Sequence, residues 1–137
     1  MKLFTVPPSH ICIAWRDGAD KLSQATALAS REITADQLKL LLLRGERTLL
    51  GIADDSDIPQ AWAAVQIQTL PNLRTLYVYA IYAPGFTGPA CFDLLKRYAT
   101  DNGCETIRGA CDPAVAKLWV RKFDAKVIYS VYEIETT

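Results

Sequence analysis

The chain has 137 residues, half of them hydrophobic and 22% charged, which supplies one packed core and argues against a disordered chain. Fifteen Lys and Arg balance fifteen Asp and Glu, so no net field draws the protein toward nucleic acid or an anionic membrane. The same balance weakens colloidal repulsion and leaves room for self-association.

The length is that of one domain, expected to span 1–137. Cys12, Cys91, Cys104 and Cys111 form no C-x-x-C pair, and His10 is the sole histidine, a pattern that argues against zinc and any other metal site. No leader and no run long enough to span a bilayer is read. The expectation is therefore a soluble protein in a reducing compartment, with thiols that are mostly buried.

Val6-Pro7-Pro8-Ser9 offers a helix entry, and Ile11, Trp15, Leu22 and Ala29 follow at helical spacing, with an interruption at Gly18. Thr34 and Gln37 form a capping-box pair for a second helix, whose buried face is Leu38, Leu41 and Leu42 and whose stop is Gly45. From Thr48 the pattern changes to three antiparallel strands over 48–53, 61–69 and 75–82. In the second, Ala63, Val65 and Ile67 alternate with Gln66 and Gln68. The third, from Leu76 to Ile81, is apolar on both faces and belongs at the centre of the sheet.

The loop Ala83-Pro84-Gly85-Phe86-Thr87-Gly88-Pro89 runs into a helix with Pro89 at its first position, Phe92, Leu95, Tyr98 and Ala99 inward, and Asn102-Gly103 at its end. A strand over 106–109 follows, then a helix from Asp112-Pro113 through Lys122, and a long closing strand over 126–135. Strand, glycine loop, helix and strand make a parallel crossover, and its loop is where an anionic ligand is expected.

This order, with the stretch from Tyr82 to Tyr132, resembles the GNAT superfamily of acyl-CoA N-acyltransferases. Leu94 to Ala99 with Asn102-Gly103-Cys104 is similar to that family's phosphate-loop helix and its exit. The run from Ala116 to Ala125 is similar to its last helix motif. A closer likeness is to small GNAT-like proteins of tailed bacteriophages, on the Val6-Pro7 entry, the Thr34 cap, Leu42 to Gly45 and the Ala99 to Cys104 exit.

The resemblance implies an α/β (α+β) GNAT-like three-layer fold, with a mixed, mostly antiparallel central sheet flanked by helices. It implies acetyl-CoA or CoA wedged between two splayed strands, with the amides of Gly85, Phe86, Thr87, Gly88 and Ala90 on its pyrophosphate. It also implies acetyl transfer to an amine. The alternative is a catalytically silent binding or structural module of a phage, in the virion or against a host protein, placed either in the bacterial cytoplasm or on the particle.

The catalytic residues depart from the family pattern. The loop lacks its basic residue, and Pro89 removes one donor. The strand over 75–82 holds no Asp, Glu or His as a base. Trp119 stands where a tyrosine acid is expected, and an indole N–H cannot serve as one.

Tyr79, Tyr82 and Tyr132 are the substitute acids, each also readable as a strand aromatic. Cys91, in the first turn of the loop helix, is either a dipole-activated thiolate or a packing thiol. Asp54, Asp55 and Asp57 read first as turn formers, His10 as a capping or surface residue. Lys117, Arg121, Lys122 and Lys126 form a basic stripe, a solvated face or a contact for a phosphate. No nucleic-acid readout motif is present.

Overall fold

The computed structural model describes residues 1–26, 31–84 and 89–137. Five strands form one sheet in the order β1-β2-β3-β4-β5: β1 (Lys2–Val6), β2 (Thr48–Ala53), β3 (Pro59–Leu70), β4 (Leu73–Tyr82) and β5 (Thr106–Gly109). The first four are antiparallel neighbours, and β5 joins β4 in parallel. The α-helices among the described residues are α1 (Ile11–Arg16), α2 (Leu22–Thr26), α3 (Ala35–Leu43), α4 (Pro89–Asp101) and α5 (Pro113–Phe123). β4 lies between β3 and β5, as its two-sided apolar pattern predicts.

The helix boundaries follow the local chemistry. α1 and α2 are separated at Gly18, whose φ of 130° favours glycine. The Thr34 hydroxyl accepts from the Gln37 amide at 3.2 Å and the Gln37 side chain accepts from the Thr34 amide at 2.9 Å, a complete capping box. α3 ends with the Glu46 amide on the Leu41 carbonyl and the Gly45 amide on that of Leu42, the paired bonds that a left-handed glycine permits. Asp112 caps α5 by accepting from the Val115 amide at 2.9 Å.

Two packed layers sandwich the sheet. On one face Ile11, Ala14, Leu22, Leu38 and Leu42 of α1–α3 bury against Leu49, Trp62, Ala64 and Ala80. On the other, Leu95 and Ala99 of α4 bury against Leu50, Ala63, Val65, Leu76 and Val78.

Two expectations need correction. The apolar start is not a mere lead-in but β1, which pairs Lys2–Val6 with β2. Five residues are too few to display a clear period, and the position is revealed by its partner: a Cβ on Gly51 would lie 2.2 Å from the Phe4 ring. The closing strand over 126–135 is absent, since residues 124–137 join no strand. Ile128, Tyr129, Val131, Tyr132 and Ile134 are exposed there, from 47% for Ile128 to 87% for Val131. Alternation signals a preference for extended backbone, but a strand also needs an edge to pair with. β5 offers four residues, and the chain leaves α5 through Asp124 in a left-handed turn. The tail is held instead by Arg31, which pairs with Glu133 at 2.8 Å and approaches Glu135 at 3.8 Å.

Candidate functional site

The site begins with a register change. Val65 of β3 faces Val78 of β4, yet Ala64 faces Ala80, so Tyr79 is an extra residue, a β-bulge. Before the bulge the even-numbered residues Leu76 and Val78 face α4; after it, Ala80 and Tyr82 face α1–α3. Tyr77, Tyr79 and Ala80 thereby border one cavity on the α3 face, although strict alternation would separate neighbours 79 and 80.

At the bulge the pairing of the two central strands ends. β4 and β5 pair from Thr75 with Thr106 to Val78 with Gly109, and β5 then stops while β4 runs on to Tyr82. The closed end is firmly stitched. Thr75, fully buried, donates its hydroxyl to the Thr106 carbonyl at 3.1 Å and accepts from the Thr106 hydroxyl at 2.8 Å. Arg74 Nε donates to the Asn102 carbonyl at 2.8 Å. The stretch of β4 after Val78 is therefore unpaired on its β5 side, above a rigid base.

The cavity on the α3 face has a volume of about 390 Å³. Glu32, Gln37, Arg47, Tyr77 and Tyr79 supply its polar groups, and Ile33, Leu38, Leu41 and Ala80 its apolar wall. The Arg47 guanidinium carbon sits 3.5 Å from the Tyr79 ring centroid. The Tyr79 hydroxyl donates to Gln66 Oε1 at 2.7 Å and accepts from Gln68 Nε2 at 3.2 Å, and the Tyr77 ring lies 4.7 Å away. Burial pushes the Tyr77 phenol above its usual range, and the phenols of Tyr79 and Tyr129 and the Glu32 carboxylate add to the rise. Arg47 opposes it. Tyr77 therefore keeps its proton at neutral pH.

The candidates from sequence are not gathered in this cavity. Tyr79 reaches it, but its hydroxyl proton is committed to Gln66. Tyr82 packs against the α1–α3 cluster, with Lys21 Nζ 5.6 Å from its ring centroid, and Tyr132 is 86% exposed. Gly85, Phe86, Thr87 and Gly88 lie outside the described residues; Ala90 is exposed in the first turn of α4.

Cys91 is a packing thiol. It is buried with Ile52 and Ala61, and desolvation pushes its thiol up, the reverse of an activated thiolate. Cys104 is also buried, whereas Cys12 and Cys111 are exposed, so burial holds for two of the four.

The remaining polar candidates are structural. Asp54 accepts from the amides of Ser56 and Ile58, at 2.8 and 3.0 Å, and so builds its turn. Asp55 pairs with the N-terminal amine at 2.7 Å and Asp57 with Lys2. His10 contacts the Ser9 hydroxyl at 3.0 Å. Lys117, Arg121, Lys122 and Lys126 are exposed. Among the described residues no group of acidic, Cys and His side chains could hold a metal, and no helix is long and apolar enough to cross a membrane.

Sequence reasoning missed Glu32, Arg47 and Tyr77. Glu32 and Arg47 flank α3 and are remote in sequence from β4, so only folding joins them. The Tyr77–Tyr79 spacing was the available signal.

No family model matches the chain, and no curated protein does. Solved structures do. The chain is similar to a ribosomal-protein-alanine N-acetyltransferase from Brucella melitensis biovar Abortus 2308, with a TM-score of 0.67 and 17% identity over 98% of this chain and 99% of that one. It is similar to a possible acetyltransferase from Clostridium difficile 630, with a TM-score of 0.64 and 14% identity over 99% and 97% of the two chains. It is also similar to the aminoglycoside N-acetyltransferase AAC(6')-Iy in complex with CoA, with a TM-score of 0.63 and 11% identity over 99% and 95%. The fold is that of the GNAT-type acetyltransferases, a five-strand mixed sheet flanked by helices.

Proposed function

We propose that the chain is an acyl-CoA-dependent N-acetyltransferase-like protein, acting as one domain on a small amine held in the cavity beside Tyr77 and Tyr79. The observation that carries this reading is the end of β4–β5 pairing at the bulge, which leaves the β5 side of Tyr79 to Tyr82 unpaired next to residues that border the cavity. The CoA-bound aminoglycoside N-acetyltransferase shares the fold with this chain and supports the reading at that level.

When bound, acetyl-CoA supplies an activated thioester. The β5-facing edge of Tyr79 to Tyr82, which β5 does not pair, gives backbone groups for the acyl arm. The first turn of α4 at Ala90, with the amides assigned by sequence to Gly85, Phe86, Thr87 and Gly88, suits the pyrophosphate. Attack of the amine nitrogen on the thioester carbon forms the C–N bond and breaks the C–S bond. An acceptor arriving as ammonium would first lose one proton to water to become the attacking amine; the second would pass to Glu32, directly or through water, and Tyr77 would donate its hydroxyl proton toward the departing sulfur, to be replenished from solvent. These roles replace the family's missing strand base and the tyrosine acid whose position Trp119 occupies.

One observation favours a second reading, a silent binding module. Phe92 of α4 stacks on Phe123 of α5 with centroids 4.3 Å apart, and Trp119 packs on Gly109, so aromatic rings bridge the two helices beside the end of β5. A phage setting for such a module rests on the sequence resemblance at Val6-Pro7 and Thr34.

Calorimetric titration with acetyl-CoA separates the readings. Micromolar binding that Gly88→Glu abolishes is expected for the acyltransferase; no heat at millimolar acetyl-CoA sinks it and leaves the module.

A further inference from the structure

We infer that the cavity beside Tyr77 and Tyr79 takes a zwitterionic ligand, a free apolar α-amino acid or its close analogue, with its carboxylate on Arg47 and its ammonium toward Glu32. As a statement about the acetyl acceptor this rests on the function proposed above; as a statement about binding it stands on the cavity alone. At about 390 Å³ the cavity falls in the size range of small-molecule sites, about 300–1,000 Å³.

Arg47 is the anchor. It is half-buried, and its guanidinium is stacked on Tyr79, whose ring is fixed by the bonds to Gln66 and Gln68. Stacking covers one face of the guanidinium and leaves its N–H edge free. Among the described residues that edge has neither a carboxylate nor a hydrogen-bond acceptor, although Arg31 and Arg44 nearby in sequence both have acidic partners. A partly desolvated, pre-oriented fork without a counter-charge suits one carboxylate, taken bidentately.

Glu32 supplies the opposite charge. It borders the same cavity and also has no ion-pair partner among the described residues. The two charges do not pair with each other, so a ligand carrying both signs can satisfy both at once.

This arrangement also selects against other ligands. A polycationic amine places positive charge near Arg47, and a phosphate or dicarboxylate places excess negative charge near Glu32. In the same lining, Ile33, Leu38 and Leu41 offer an apolar wall that favours an aliphatic side chain.

The test is saturation-transfer NMR and competition on the intact chain, with L-leucine, L-leucinamide, which lacks the carboxylate, and 4-methylpentanoate, which lacks the amine. Leucine is expected to bind about tenfold or more tightly than either analogue, the difference charge-assisted bonds make. Arg47→Gln is expected to remove leucine's advantage over leucinamide, while leucinamide, which then meets one repelling charge fewer, binds no more weakly than before. Equal binding of leucine and leucinamide to the unmodified chain, or no leucine binding at tens of millimolar, overturns the proposal. That comparison needs no variant, so a poorly folding Arg47→Gln does not blunt it. Leucine binding without acetyl-CoA binding refutes the acyltransferase reading alone, and acetyl-CoA binding without leucine binding refutes this one alone.

Discussion

The two ends of the chain, similarly rich in apolar residues, use them to opposite effect. From β1 to β4, with α1–α3 beneath, Ile11, Leu22, Leu38, Leu42, Leu49, Leu50, Val65 and Leu76 are all under 2% exposed. In α5 no residue is buried, though it carries Val115, Leu118, Trp119, Val120 and Phe123, and the tail beyond it exposes Val127, Val131 and Ile134 at 76–87%. Apolar composition does not by itself make a core; an opposing layer does. The first region has a layer on both faces of its sheet, whereas α5 meets the rest mainly through the Phe92–Phe123 stack and Trp119 on Gly109.

The sharpest way to break this comparison is to truncate one side chain on each side. Leu38→Ala or Leu50→Ala is expected to cost about 2–5 kcal/mol in urea unfolding, because each empties a fully enclosed position. Val120→Ala in α5 should stay within about 0.5 kcal/mol. Similar losses at Leu38 and Val120 would mean that α5 is covered in solution.

The next effect tests the sheet's outer pair. Gly51→Ala places a methyl group against the Phe4 ring and is expected to cost about 1–3 kcal/mol by overpacking. Adding Phe4→Leu should recover part of that loss, since the clash lies with the ring. An undiminished loss in the double variant would locate the strain in the backbone instead.

A smaller effect concerns caps, where both regions should behave alike. Thr34→Ala removes half of a capping box and Asp112→Ala the cap of α5, each expected to cost about 1 kcal/mol. If α5 contributes little to cooperative unfolding, Asp112→Ala will instead show as local amide exchange in 113–123 with an unchanged unfolding midpoint.

What the sequence made legible follows the same division. Caps, stops and the β4-to-α4 order were readable because their signals are local: Thr34 with Gln37, Gly45, Asp112 with Pro113. The closing strand over 126–135 was misread because its period is local while its partner is not. The cavity was hidden for a further reason. The bulge at Tyr79 leaves no mark in the alternation of β4, which is apolar on both faces, and it is the bulge that brings Tyr77, Tyr79 and Ala80 to one side. Tyr79 was therefore named from sequence, but its commitment to Gln66 and the place of Tyr77, Glu32 and Arg47 were not.

The smallest expected effect joins the two regions, because Tyr129 of the tail acts on Tyr77 of β4. The Tyr77 phenol is raised in the folded protein by burial first, so the folded state holds this proton where the unfolded chain has lost it. Its contribution to stability is therefore complete below the ordinary phenol range near pH 10 and is lost as pH rises through the raised folded value. Ultraviolet titration should show a late-ionising tyrosine that Tyr77→Phe removes. Glu32→Gln and Tyr129→Phe should each move that step to lower pH, and Arg47→Gln should move it higher, because Arg47 alone among these neighbours favours the phenolate. A shift with Glu32→Gln but none with Tyr129→Phe would mean that the tail does not rest near the cavity in solution, and that the N-terminal region builds the site unaided.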